Sequence, residues 1–153
     1  MISILETPIN QRKITANVVD YTRYKMPIHS IRTNVFVHEQ QIPFDFEIDD
    51  LDWVSQHILA FYGDQPVGTG RLTPAGKISR VAVSRPLRRR GVGLCIMKQL
   101  LKLAEQNGHD EVFLSAQCHA AEFYKKLGFR PEGDMFLEVG IVHMTMRKQL
   151  FKI

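Results

Sequence analysis

Arg80-Val-Ala-Val-Ser-Arg-Pro-Leu-Arg-Arg-Arg-Gly-Val-Gly-Leu94 is the stretch from which the rest of the chain can be read. Val81, Ala82 and Val83 form a short apolar strand that runs through a basic, glycine-bearing loop straight into a helix. From Gly91 to Gln106, Ile96, Leu100, Leu103 and Ala104 recur at helical spacing, and Asn107-Gly108 supplies a stop. A helix N-terminus presents unpaired N–H groups and positive partial charge, so it receives phosphate. Gly91 and Gly93 carry no Cβ, which lets the backbone amides through Val92 and Leu94 approach phosphate oxygens, while Arg88, Arg89 and Arg90 offer charge-assisted bonds. Neither the Rossmann nor the Walker A glycine pattern is present, so a pyrophosphate fits better than a nucleoside triphosphate. The same segment would equally serve as an exposed basic turn capping a helix, and loop chemistry alone does not separate the two.

The chain around this loop has 153 residues, 44% hydrophobic and 24% charged, which suits one globular domain with a buried core. Lys plus Arg is 20 and Asp plus Glu is 16, and Arg85, Arg88, Arg89 and Arg90 account for the whole surplus of +4. A surplus so concentrated grips one polyanionic ligand rather than coating nucleic acid along a face. The 2 cysteines, Cys95 and Cys118, have no metal-ligand spacing and form no disulfide framework, so a reducing compartment and no metal site are expected. The opening MISILETPINQRKIT has no apolar core behind a basic end, and no run approaches a membrane span of about 20 apolar residues. The chain reads as soluble, untargeted and cytoplasmic, with no membrane partner.

No repeat, low-complexity tract or linker interrupts it, so residues 1–153 are taken as a single domain. Lys13 to Asp20 places Ile14, Ala16 and Val18 on one face of a strand; His57 to Tyr62, Val67 to Leu72 and Lys77 to Val83 follow as three more. Pro27 lacks an N–H, which predicts a helix beginning near Ile28, with Ile28, Ile31, Val35 and Phe36 sharing a face. Glu111 to Ser115 is a strand, Ala120, Phe123, Tyr124 and Leu127 lie at helical spacing before Gly128, and Ile141 to Arg147 closes the pattern. The expected fold class is α/β with a mixed, mainly antiparallel twisted sheet flanked by helices.

Strand, Arg88-x-x-Gly91-x-Gly93 and helix together resemble the acetyl-coenzyme A signature of the GCN5-related N-acetyltransferases, the GNAT superfamily. Val35-Phe36-Val37-His38-Glu39-Gln40, His57-Ile-Leu-Ala60, Arg80-Val-Ala-Val83, Ala116-Gln117, Phe123-Tyr124-x-x-Leu127-Gly128-Phe129 and Gly140-Ile-Val-His143 resemble its ElaA-like branch. One departure is Val142, where that branch usually has proline before the histidine.

The resemblance implies acetyl transfer from acetyl-coenzyme A to a primary amine by direct attack in a ternary complex, the cofactor lying where two neighbouring strands splay. Pyrophosphate would sit on the Arg88 to Leu94 amides, and the pantetheine arm would pair with Val81, Ala82 and Val83 like an added strand. Val83 N–H would polarise the thioester carbonyl, and Tyr124 would protonate the departing thiolate. Gln117, placed at the start of the Tyr124 helix, would hydrogen-bond pantetheine or cap that helix. By periodicity alone Tyr124 is a core-facing aromatic and Val81 to Val83 are plain core residues.

An ammonium acceptor needs a base to take its proton. Candidates are Glu39 and His143, then His57 and Glu138, each of which could equally be an ordinary surface or strand-end group. Asp45, Glu47, Asp49, Asp50 and Asp52 form an acidic run with no cation in it. It would be a solvated loop or would draw the amine in, Trp53 or Phe44 lending a cation–π face. The acceptor would be a small-molecule or peptide amine, and family members often pair as homodimers. Two rivals stand beside this reading: a coenzyme A-binding regulator without turnover, and a nucleic-acid module using Arg85 to Arg90.

Overall fold

The computed structural model describes residues 13–151. The opening residues 1–12, read above for a leader, lie outside them. Two antiparallel sheets form the frame. The first has the order β1-β2-β3-β4, from Ile14–Val19, Gln56–Tyr62, Gln65–Leu72 and Ile78–Val83; the second has the order β5-β7-β6, from Glu111–Gln117, Ile141–Gln149 and Arg130–Glu138. They meet at one point, a parallel bridge between Lys77 and Phe113 reinforced by Phe113 N–H to the Gly76 carbonyl at 3.2 Å. Beyond that bridge β4 and β5 run side by side without a ladder, which opens the expected splay.

Helices cover both faces of the first sheet. On one side α3, Val92–Gln106, buries Ile96, Met97 and Leu100 against Ile58, Ala60 and Val67. On the other, Ile28, Ile31 and Val35 pack on Leu59 and Ala82. The alternation of Ile58, Leu59 and Ala60 between two cores is the period of 2 expected of a strand buried on both sides. Burial fades along the edge strand β1, where Val18 is 48% exposed. The approach of α3 depends on two glycines of β3. A Cβ on Gly68 would lie 2.8 Å from Ile96 Cδ1 and 2.9 Å from Val92 Cγ1, and one on Gly70 would lie 2.8 Å from Ile96 Cγ2. Without side chains there, the helix rests on strand backbone and its N-terminus is held close to the end of β4.

Four elements differ from expectation. The first helix, α1, spans Tyr21–Arg32 with Pro27 inside it, rather than beginning near Ile28. Asp20 starts it upstream by accepting the Thr22 N–H at 3.2 Å. The bond that Pro27 cannot donate costs roughly 3 kcal/mol, which the burial of Ile28 and Ile31, each worth about 1.5–3 kcal/mol, offsets. After α1 the backbone widens into a π-helical stretch, Thr33–Glu39, which brings Phe36 and Gln40 round towards the splay. Gln117 ends β5 instead of starting a helix; a 3-10 turn, Cys118–Ala120, precedes α4, Ala121–Lys126. Finally β6 is not legible in the sequence, because Arg-Pro-Glu-Gly-Asp has no alternation to read. It is an exposed outer strand with a register shift between Glu132 and Phe136.

Candidate active site

The splay between β4 and β5 is a cleft of about 770 Å³. Its floor and one wall are β4. Ser84 N–H bonds the Val67 carbonyl at 2.8 Å, which fixes the parity of the strand. In an antiparallel ladder alternate residues turn their polar groups to opposite sides, so Ala82 faces β3 and the amide of Val83 faces the cleft. Arg80 interrupts this ladder. It adopts φ +54°, and the register skips between Thr69 and Arg71 opposite it. A left-handed arginine in mid-strand is a strained bulge of the kind that gathers at functional sites.

Arg80 is held by what its side chain reaches. Its guanidinium donates to the carbonyls of Phe46 at 2.9 Å and Glu47 at 3.2 Å and meets the Asp49 carboxylate at 3.1 Å. Asp49 is gripped in turn by Arg71 at 2.6 and 3.0 Å. Arg71 also bonds Asp52, at 3.0 Å, and Arg32 bonds Asp52 at 2.8 Å and pairs with Glu47. Arg32, Glu47, Asp52 and Arg71 are all essentially buried. Burial pushes the Asp52 carboxyl up, but the hydrogen bonds and charges of Arg32 and Arg71 more than reverse this and hold it below the usual carboxylate range. Three of the five carboxylates in the acidic run, Glu47, Asp49 and Asp52, are therefore answered by arginines from α1, β3 and β4, and tie the loop bearing the short helix α2, Phe44–Glu47, against the sheet, while Asp45 and Asp50 stay exposed. These distant partners cannot be recognised from the run itself.

Two further candidates leave the cleft with that loop. His57 is 1% exposed, donates from Nε2 to the Asp52 carbonyl at 2.8 Å and stacks on Tyr21 at 4.5 Å. Burial lowers its pKa and keeps it neutral. Trp53 packs edge-on to Tyr21 at 5.0 Å, and the cation over its ring is Lys25, at 5.3 Å. Of the aromatics in that loop Phe46, not Phe44, borders the cleft.

At the mouth, Gly91 begins α3 with φ +86° and no side chain caps the helix, leaving the amides of Val92, Gly93 and Leu94 for an anion. A Cβ on Gly91 would meet nothing within 4 Å, so it is the left-handed turn, not crowding, that calls for glycine. Arg89 is also left-handed, φ +64°, and Arg90 precedes the turn. This donor set fits a pyrophosphate. Arg88 differs from its neighbours: it donates to the Val83 carbonyl at 3.1 Å and pairs with Glu39 at 2.8 Å. Glu39 thus lies beside the cleft, bound to a cation. Next to it Gln40 and Gln117 exchange amide hydrogen bonds of 2.8 and 3.2 Å across the opening, so Gln117 stands at the N-cap of the 3-10 turn without its side chain bonding that turn.

Tyr124 and His143 line the cleft, and Glu138 stands beside them. Tyr124 packs edge-on against Phe123 and Phe129 at 5.1 and 5.9 Å, and burial pushes its phenol up to about 12. Its hydroxyl finds no hydrogen-bond partner among the described residues. His143 Nδ1 is 2.7 Å from the Ile141 carbonyl, which assigns the proton to Nδ1 and leaves the Nε2 lone pair free. The ring stacks on Phe136 at 5.9 Å, and Glu138 Oε2 is 4.0 Å from Nε2. A phenol and an imidazole therefore share one cleft with a strand amide, close to the uncapped end of α3.

Comparison with known proteins agrees with this geometry. The family profile described as "Acetyltransferase (GNAT) domain" matches residues 31–150. An uncharacterized N-acetyltransferase of Bacillus subtilis, YjcF, is 43% identical over 122 residues, 77% of this chain and 87% of that protein. The ElaA protein of Escherichia coli is 34% identical over 130 residues, 80% of this chain and 85% of that protein. Among solved structures, an acyl-CoA N-acyltransferase from Pseudomonas aeruginosa has a TM-score of 0.78 at 32% identity, over 90% of this chain and 99% of that one. The Escherichia coli ElaA structure reaches the same TM-score, covering 91% and 100%. With its splayed strands, uncapped helix and cleft tyrosine, the chain belongs to the GNAT acetyltransferase family.

Proposed function

We propose that the protein transfers acetyl from acetyl-coenzyme A to a primary amine by direct attack within a ternary complex. The observation that carries the reading is the convergence of Tyr124, His143 and the outward amide of Val83 on one cleft, with the uncapped end of α3 at its mouth. The α3 amides, with Arg89 and Arg90, hold the pyrophosphate of the donor. The edge of β4 receives its pantetheine arm as an added strand, for which Arg88 releases the Val83 carbonyl and Gln117 exchanges its amide partner.

His143 takes the first proton from the acceptor ammonium at Nε2, because its other nitrogen is committed to Ile141. Glu39 is not assigned this role, since its carboxylate is engaged by Arg88. The freed amine forms a C–N bond as the C–S bond breaks; Val83 N–H stabilises negative charge on the carbonyl oxygen, and Tyr124 delivers a proton to sulfur. The amide nitrogen sheds its second proton, which restores the phenol through solvent. Overall an ammonium and a thioester become an amide, a thiol and one released proton. No cysteine nucleophile is required.

The reading is tested by following thiol release from acetyl-coenzyme A with a panel of primary amines. One thiol should appear per amide formed, and the two-substrate rate plots should intersect. His143→Gln should lower kcat about 10²-fold while leaving the KM for acetyl-coenzyme A unchanged. Absence of amine-dependent thiol release, or a stable acetyl group on the protein, would contradict it.

A further inference from the structure

We propose that the acceptor is a primary amine borne on an apolar alkyl or arylalkyl group without a carboxylate, and that the tip of the β6–β7 hairpin selects it. This rests on the transferase reading above. The observation behind it is Val139. Glu138 pairs with Ile141, so Val139 and Gly140 form the whole turn, with φ of +45° and +77°. A two-residue turn with both residues left-handed is ordinarily Asn-Gly or Asp-Gly, because a β-branched side chain crowds its own backbone there. Local turn chemistry therefore argues against valine at this position. What valine supplies instead is an apolar surface on the cleft, which it lines together with Ile42 and Phe46.

The charges of the cleft complete the argument. Glu138 is half exposed, and its nearest basic group is the His143 ring at 4.0 Å. Glu47, the other cleft carboxylate, is already paired with Arg32 and His29. Among the cations, Arg80 is held by Asp49 and two carbonyls, and Arg88 by Glu39. Lys77 lies at the closed end, beside Phe113, about 20 Å from the hairpin tip at the rise of a strand. His119 is an exposed imidazole on the 3-10 turn. An ammonium thus meets Glu138 and delivers its proton to the adjacent His143. The organic part of the amine meets Val139, Ile42 and Phe46. A carboxylate on the same molecule would face Glu138 with every nearby guanidinium engaged, and a second ammonium or several hydroxyls would be desolvated against the apolar wall.

The test compares phenethylamine with phenylalanine, spermidine and glucosamine as acceptors, using the full chain and its Val139→Asn and Glu138→Gln variants. Phenethylamine should exceed each of the others in kcat/KM by about ten-fold or more. Val139→Asn should raise the phenethylamine KM about ten-fold, with an unchanged KM for acetyl-coenzyme A and a Tm no lower than the parent, since asparagine suits the turn. Glu138→Gln should raise the KM for amine and not for donor. Preference for phenylalanine, spermidine or glucosamine, or an unchanged amine KM in Val139→Asn, would overturn the inference while leaving the transferase reading intact. Silence towards every amine would overturn both.

Discussion

Tyr124→Phe is expected to lower kcat about 10²- to 10³-fold while changing the dissociation constant of coenzyme A by no more than about three-fold. The substitution removes one oxygen and keeps the ring packed between Phe123 and Phe129. Only the proton donor is lost. With its pKa pushed up to about 12 by burial, the phenol stays protonated throughout the neutral range and is available to a departing thiolate. The rate should therefore show no basic limb from Tyr124 until well above pH 10. An equal loss of rate and affinity would make Tyr124 a packing residue. No loss of rate would remove it from the chemistry.

The largest stability effect is expected at Arg32. Arg32→Met should cost about 3–5 kcal/mol, a drop in Tm of about 10 °C, because it strands Glu47 and Asp52 in the interior without their main counter-charge. Chemical unfolding measures the loss directly, and a change below about 1 kcal/mol would mean that the network is solvated. The acid side of the stability curve should respond as well. Asp52 is held below the usual range, so its contribution is full above about pH 4 and is lost as pH falls through its lowered value. Neutral, buried His57 adds a loss that begins as pH falls below about 6.5, where the unfolded chain takes up the proton. Removing Arg32 raises the Asp52 carboxyl towards its unfolded value and should shrink the acid-side loss that this group contributes.

How much of this was legible in the sequence follows from the range of the interactions. The β4 strand, the Gly91 turn and α3 are local, and their residues announce them through apolar runs, glycine and helical spacing. The π-helical stretch after Arg32 is less legible, because its Val35 and Phe36 keep a helical pattern while the backbone widens. The acidic run misled because its partners are remote: Arg32, Arg71 and Arg80 stand 20, 19 and 31 residues from the carboxylates they meet. His57 and Trp53 moved out of the cleft for the same reason, being committed to Tyr21, Lys25 and the Asp52 carbonyl. Arg80 carried no sign of its bulge, since arginine has no left-handed preference and the constraint comes from the loop above it. The strain at Val139 was hidden equally well, because it exists only once Glu138 and Ile141 pair.

The central claim is that the β4–β5 cleft and the α3 N-terminus together hold a coenzyme A thioester. Thermal unfolding with acetyl-coenzyme A, coenzyme A and ATP in parallel tests it most directly, on the parent and on an Arg88→Ala, Gly91→Asp double variant. A ligand at about 100 times its dissociation constant stabilises the folded state by roughly 2.7 kcal/mol. Stabilisation by both coenzyme A ligands, absent with ATP and lost in the double variant, is the predicted result; an unmoved transition with all three ligands would contradict the account.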